Sequence, residues 1–237
     1  MKLIVINELL DDTAAGVALR AVQYFAPMAQ KEWGETFEGF FLESHRDPAN
    51  PYVPTGKDSI FYLTERNVHP KAAGYHMVNP ISKLPEGYIS LQNSRSIYGK
   101  FHYPIVELAH KIGKLFFPSR TFGKFMILGQ GLVTALVHEV LEAIGDPYIN
   151  ALSEPSPAGQ RWLMEICDPV DRNLFRWTDP VTKQDCALPD FVFKGFYTKT
   201  GTGQMSFLHS ISAPFIKAKG GYAYYPDPQS KQYKPVA

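Results

Sequence analysis

The chain begins with "KLIVIN" (2–7), an apolar run of strand length without a helical period, and predicts a first β-strand. From Thr13 to Trp33, Val17, Val22, Tyr24, Phe25 and Met28 recur at near-helical spacing, with Asp12 or Thr13 placed to cap the first turn. Pro27 falls inside this segment and is expected to kink or divide it. "TFEGFFLES" (36–44) and "SIFYLTE" (59–65) read as the second and third strands, separated by the proline-rich loop "RDPANPYVPTGKD" (46–58). "GYHMV" (74–78) and "GYISLQ" (87–92) follow as short strands, and "FHYPIVELAHKIGKLFF" (101–117) is helix-like. The main helix is expected to begin near Phe125 or Leu128.

Beyond Gly145 the texture changes to turn-rich chain, with a short helical piece around "QRWLMEI" (160–166). "ALPDFVFKGFY" (187–197) and "GQMSFLHSI" (203–211) look like short strands or extended pieces, and the tail from Tyr222 like a surface arm. Asp-Pro recurs at 47, 146, 168, 179 and 227, which marks turns and not a structural repeat. These patterns predict one α+β domain: an N-terminal sheet with a mainly helical part stacked on it within residues 1–145, then an irregular lobe over residues 146–237.

At 237 residues the chain can bury a core without disulfide or metal staples. A formal charge of +1, with no dense basic run and no aromatics interleaved with Lys and Arg, argues against nucleic acid as partner. No apolar segment approaches the roughly 20 residues that a membrane helix needs. The N-terminus has no export-type cleavage region, so no signal peptide and a cytoplasmic site of synthesis are expected. Cys167 and Cys186 are expected to be free buried thiols.

Chemistry concentrates in "LVTALVHEVLEAIGDPYIN" (132–150). Leu132, Val133, Leu136, Val137, Val140, Leu141 and Ile144 fill one broad side of a helical wheel. His138, Glu142 and Asp146, spaced i, i+4, i+8, line up on the other, with Glu139 beside them. Upstream stand Gly131, Thr134 and Ala135, small residues expected where a substrate approaches the floor of a cleft. The acidic groups crowd the C-terminal end of a helix whose dipole disfavours them, and no Lys or Arg lies between Leu128 and Asn150. A bound divalent cation would account for the cluster.

In the His-Glu-x-x-His arrangement, two ligands one turn apart hold zinc and the intervening Glu takes a proton from water. Here His138 is the first candidate ligand, Glu139 the base and Glu142 an oxygen ligand, which opens the site to Ca²⁺, Mn²⁺ or Mg²⁺ beside zinc. For the third ligand, Glu165 or Asp168 in "EICDPVD" is favoured, with Asp146 as ligand or as a group orienting one. His76 and His102 are expected in core or hydrogen-bonded roles and His110 in solvent. Gly-x-Ser-x-Gly, P-loop and dinucleotide motifs are absent, and Cys167 has no adjacent histidine to activate it.

"VHEVLEAIGDPYIN", "EICDPVD" and "PDFVFKGFY", with "FAPMAQKEWG", "AAGYHMV" and "GGY", resemble a group of zincin-like proteins found largely in bacteriophages and bacteria. The likeness spans most of the chain in scattered pieces. It implies a zincin-like fold, a twisted N-terminal sheet with an active-site helix, in which the edge strand, "GYISLQ", runs beside that helix and binds an extended peptide by strand addition. The group's shared polar positions fall on His138, Glu139, Glu142, Asp146, Asn150, Glu165 and Asp168. Lys194 stands where the group has proline, and Glu142 where zincins have a second histidine.

Two functions are therefore expected in competition. One is a zinc metallopeptidase acting on peptide substrates. The other is a structural protein of virion assembly, contacting other virion subunits or further copies of itself through its aromatic segments and tail.

Overall fold

In the computed structural model, residues 1–9, 12–34, 36–44, 56–65, 72–97 and 120–236 are described. The helix-like 101–117 segment and most of the 46–58 loop lie outside them. Strand β1 (Lys2–Asn7) is sandwiched on both faces: Leu3 and Val5 enter the main core, while Ile4 and Ile6 pack with Ile60 on the other side. Burial on two faces explains why its sequence is a continuous apolar run and not an alternating one. With β2 (Gly39–Ser44), β3 (Ser59–Thr64), β4 (Gly74–Val78) and β5 (Pro85–Ser90) it forms a mixed sheet of order β2-β1-β3-β5-β4. Only β4 runs antiparallel to its neighbour.

The edge strand was expected to be "GYISLQ" (87–92), but Gly87–Ser90 lie in β5, which is interior, and Leu91 and Gln92 begin a helix; the edge on that side of the described sheet is β4, "GYHMV". Glycine 87 decides the matter. A Cβ there would lie 2.4 Å from the Phe61 ring, so only a bare backbone lets β5 pair with β3 beneath that ring. Beyond Ser90 the chain turns into helix α2 (Leu91–Ile97), with the Ser90 hydroxyl accepting the Asn93 amide as a cap.

Helix α1 (Asp12–Trp33) is continuous through Pro27, against the expected kink or division. Pro27 is on the exposed side, where water can satisfy the carbonyl it frees, while Phe25, Ala26 and Ala29 anchor the helix to the core. Helix α3 (Arg120–Gly145) starts earlier than expected and packs against α1, α2, β4 and β5. The apolar stripe from Leu132 to Ile144 is buried, but so are its polar residues. The small flank does not floor a cleft. Thr134 donates a 2.8 Å hydrogen bond to the Ala187 carbonyl of β9 (Asp185–Pro189), and Gly131 and Ala135 are closed to solvent.

After Gly145 the described chain contains no α-helix, only short hairpins and two 3-10 turns. "QRWLMEI", expected to be helical, supplies strand β7 (Arg161–Leu163), paired antiparallel with β6 (Leu152–Pro155). The Ser153 hydroxyl accepts the Trp162 amide, and Gly159, at φ +82°, turns the hairpin. β8 (Leu174–Thr178) pairs with β9. The tail is not a free arm: β10 (Tyr224–Pro226) and β11 (Tyr233–Pro235) form a hairpin, and β10 lies against β7.

Residues 1–145 and 146–236 share one core. Phe25 of α1 meets the rings of Phe175, Phe191 and Phe207 with centroids 5.1, 5.5 and 5.0 Å away. An ion pair reinforces the junction: Arg20 donates from Nε and Nη2 to the buried Asp179 carboxylate at 2.7 and 2.9 Å. Burial alone would raise the Asp179 carboxyl, but Arg20 and Thr182 hold it well below the carboxylate range. Arg20→Ala leaves that charge buried beside apolar groups and is expected to cost about 2–3 kcal/mol in urea unfolding. Arg20→Lys, lacking the two-pronged contact, recovers only part of the loss.

Candidate metal centre

Three pieces of chain converge on one cleft of about 820 Å³. Helix α3 contributes His138, Glu139 and Glu142; β4 contributes His76; the segment after β7 contributes Glu165, Asp168 and Asp171. Each piece is positioned by a local necessity of the backbone. Gly145 ends α3 without a side chain because a Cβ there would lie 2.3 Å from Ile166 Cγ2. That close approach brings the 165–171 segment against the end of the helix. The Ile166 carbonyl is held by the Val192 amide, and a 3-10 turn (Asp168–Val170) then swings Asp168 inward.

The tail clasps this turn from outside. The Tyr222 amide donates to the Asp168 carbonyl at 2.9 Å, and a Cβ on Gly221 would fall 2.1 Å from the Pro169 carbonyl oxygen. On the opposite wall, Gly74 lacks the side chain that would strike Glu139 Cγ at 2.9 Å. Alternation along β4 puts His76 on the same inward face as Gly74.

The side chains are arranged about Glu142. Its Oε1 is 3.1 Å from His138 Nε2, and its Oε2 is 3.8 Å from His76 Nδ1. Asp168 Oδ1 approaches His138 Nε2 at 3.4 Å, and Glu139 Oε2 approaches His76 Nδ1 at 3.3 Å. Behind each imidazole stands a carboxylate: Asp171 Oδ1 is 3.8 Å from His138 Nδ1, and Glu165 Oε2 is 3.9 Å from His76 Nε2. Two groups, His138 with Glu142 and Asp168, and His76 with Glu139 and Glu142, each gather donor atoms within 4.8 Å and could hold a metal ion. All five residues are buried.

Five carboxyl groups therefore share a poorly hydrated space with two imidazoles and the Arg172 guanidinium, which pairs with Asp171 at 3.1 Å. Burying that much negative charge costs several kcal/mol per ion unless protons or a cation neutralise it. Desolvation pushes Glu142 well above the usual carboxylate range, with Asp168 and Glu165 adding to the rise and His138 opposing it. Desolvation likewise lifts Glu165 to about 8, against the pull of His76. Burial disfavours the charged form of His76, but the bond to Glu139 and the nearby carboxylates outweigh it and raise its pKa. His76 Nε2, Glu142 Oε1 and Glu165 Oε2 are buried without a hydrogen-bond partner. The orphaned Glu142 Oε1 lies against His138 Nε2, which Asp168 Oδ1 also approaches, and donor atoms gathered in this way fit a cation.

Of the expected site residues, His138, Glu139, Glu142, Glu165 and Asp168 all line the cleft. Asp146 does not join either group: its Oδ1 accepts the Asn150 amide at 3.1 Å and its Oδ2 the Ala151 amide at 2.8 Å, closing the turn after the helix. The Asp-Pro dipeptides explain the contrast. Asp146, Asp179 and Asp227 each turn their carboxylate onto amides of their own turn, whereas the Asp168 carboxylate faces His138. His76, expected in a core or hydrogen-bonded role, is buried and hydrogen-bonded but belongs to the site. Asp171 was not anticipated, although its spacing of three from Asp168 in a 3-10 turn places both on one side. Cys167 and Cys186 are buried thiols, with burial raising Cys167 strongly and Cys186 to about 12, so neither is a nucleophile at neutral pH.

Comparisons of the chain with protein-family models, with curated proteins and with solved structures find no match. No described helix is long and apolar enough to cross a membrane.

Glu165 holds its proton more tightly in the folded chain than the ordinary value of 4.5 allows in the unfolded one. The stability this confers is complete at low pH and drains away as pH rises towards 8. The melting temperature of chelator-treated protein is thus expected to fall as pH rises from 4.5 to about 8, and added Zn²⁺ to reverse the fall. Gly145→Ala drives a methyl into Ile166; a loss of about 1–3 kcal/mol in denaturant unfolding is expected, with weakened Zn²⁺ binding by calorimetry.

Proposed function

We propose that the chain is a zincin-like, metal-dependent hydrolase acting on peptides. What supports this above all is that His138 and Glu142, one helical turn apart, meet the Asp168 carboxylate from a distant part of the chain, with Glu139 alongside. An imidazole and two carboxylates suit Zn²⁺, with Mn²⁺ as the nearest alternative. His138, Glu142 and Asp168 would hold the ion with three protein donors, and an ion so held in an open cleft would have room for water, unlike a closed four-ligand structural site. A cation held there would supply Lewis acidity towards a water or carbonyl oxygen.

The chain's own groups do the rest. Glu139 takes the proton, and His76, 3.3 Å from its Oε2, keeps that carboxylate oriented. Asp171 behind His138 fixes the ring so that Nε2 faces the cation. Among the described strands β4 is at the edge of the sheet beside the cleft, the position at which an extended peptide would add as a further strand.

Glu139→Gln is expected to lower hydrolysis of a quenched-fluorescent peptide library by about 10²–10⁴-fold. The ion held by His138, Glu142 and Asp168 stays in that variant. Asp168→Asn loses both activity and that ion. A wild-type protein that binds Zn²⁺ yet cleaves no peptide in the library would return the chain to the competing role, virion assembly.

A further inference from the structure

A single cation at His138, Glu142 and Asp168 leaves the second group of candidate donors, His76, Glu139 and Glu142, without an ion. Glu142 Oε2 points away from His138, towards His76 Nδ1 at 3.8 Å. His76 is 4 % exposed in its side chain, and its Nε2 has no hydrogen-bond partner. A histidine placed there only for packing would settle one nitrogen on a backbone carbonyl or water. His76 instead sits between carboxylates on both sides: Glu139 and Glu142 at Nδ1, and Glu165 at Nε2.

The two imidazoles are disposed alike about the shared carboxylate. Each turns one nitrogen towards one oxygen of Glu142 and the other towards a further carboxylate, Asp171 for His138 and Glu165 for His76. Metal-bound histidines typically have a carboxylate behind the second nitrogen, which sets the ring and raises its basicity. Here the pattern occurs twice, in mirrored order of Nδ1 and Nε2. Each side also has its own further oxygen, from Asp168 or from Glu139.

Resting on the cation-dependent reading of the cleft, we infer that Glu142 bridges two divalent transition-metal ions, the second held by His76 Nδ1, Glu142 Oε2 and Glu139 Oε2. One carboxylate spanning two ions is the arrangement of hydrolytic two-metal sites, whose ions stand about 3.5–4 Å apart. The charge balance favours it: two divalent cations offset four of the five negative charges that the cleft would carry with every carboxyl ionised. Glu139 ligates through one oxygen and keeps Oε1, which lies over the bare Gly74, for proton transfer.

The test is ion stoichiometry and spin coupling in the full chain, with Mn²⁺ and Zn²⁺ as probes. Wild-type protein saturated with Zn²⁺ and freed of excess should carry two ions per chain by elemental analysis, and His76→Ala one. Mn²⁺-loaded wild type should give the electron paramagnetic resonance signal of an exchange-coupled pair, and His76→Ala the uncoupled six-line signal. One ion in wild type and an uncoupled signal overturn the second site while leaving the single-cation hydrolase standing. Two uncoupled ions, or two ions retained in His76→Ala, also overturn it. No bound ion at all removes both readings. If His76→Ala does not fold, the wild-type coupling decides alone.

Discussion

Acidic and imidazole side chains cannot be taken out of water together without a positive charge or protons to balance them. In this protein Glu139, Glu142, Glu165, Asp168 and Asp171 are gathered around His76 and His138, with Arg172 at one margin. Coulomb repulsion among them in a medium of low effective dielectric exceeds what ordinary hydrogen bonds return. The fold nonetheless builds the cluster from three separated segments and seals each side chain below a tenth exposed or close to it. Raised carboxyl pKa values at Glu142 and Glu165 relieve part of this cost, and a cation held by the His76 and His138 groups would relieve more.

Glycines, and not specific contacts, allow the convergence. Gly145 admits Ile166, Gly74 admits Glu139, and Gly221 admits the Pro169 carbonyl. At none of these three is φ positive, so the requirement is for space and not for a left-handed backbone. The tail then closes the assembly by hydrogen bonding to the carbonyl of Asp168, which keeps the carboxylate of that residue turned inward. A segment that reads as a polar, aromatic surface arm is in effect a strap on the loop that completes the site.

Much of the fold is legible along the chain because apolar spacing directly reports burial. The strands at 2–7, 39–44, 59–64 and 74–78, and the helix with its apolar stripe from Leu132 to Ile144, follow from apolar runs and period; the strand expected at 87–92 lies two residues earlier, at 85–90. The pairing order is not legible, since it turns on the Phe61 ring needing a glycine opposite, a contact between residues 26 positions apart. "QRWLMEI" misleads because its apolar spacing fits a helix as well as an alternating strand, and Ser153 and Gly159 settle the issue from outside the segment. Within the site, His138, Glu139 and Glu142 announce themselves by helical spacing. His76 stays silent because an isolated histidine in a strand carries no spacing signal, and Asp146 misleads because a helix-wheel line continues past the point where the helix ends.

Position in the fold finally ties the cluster to stability. His76 sits on the edge strand, the three α3 residues on the central helix, and Glu165 to Asp171 on the irregular part, so the site is a seam between elements that also meet through the Thr134–Ala187 hydrogen bond and the Gly145–Ile166 approach. An occupant that binds only when all three are in place acts on folding as well as on chemistry. A ligand present at a hundred times its dissociation constant adds about 2.7 kcal/mol to the folded state, a large share of the margin of an ordinary domain. Without it, the seam is held by protonated carboxyls, which weaken as pH rises. A cation bound there would add its binding free energy to the packing that already joins the irregular part to the helix, so the side chains that would hold it would also contribute to how firmly the two parts stay joined.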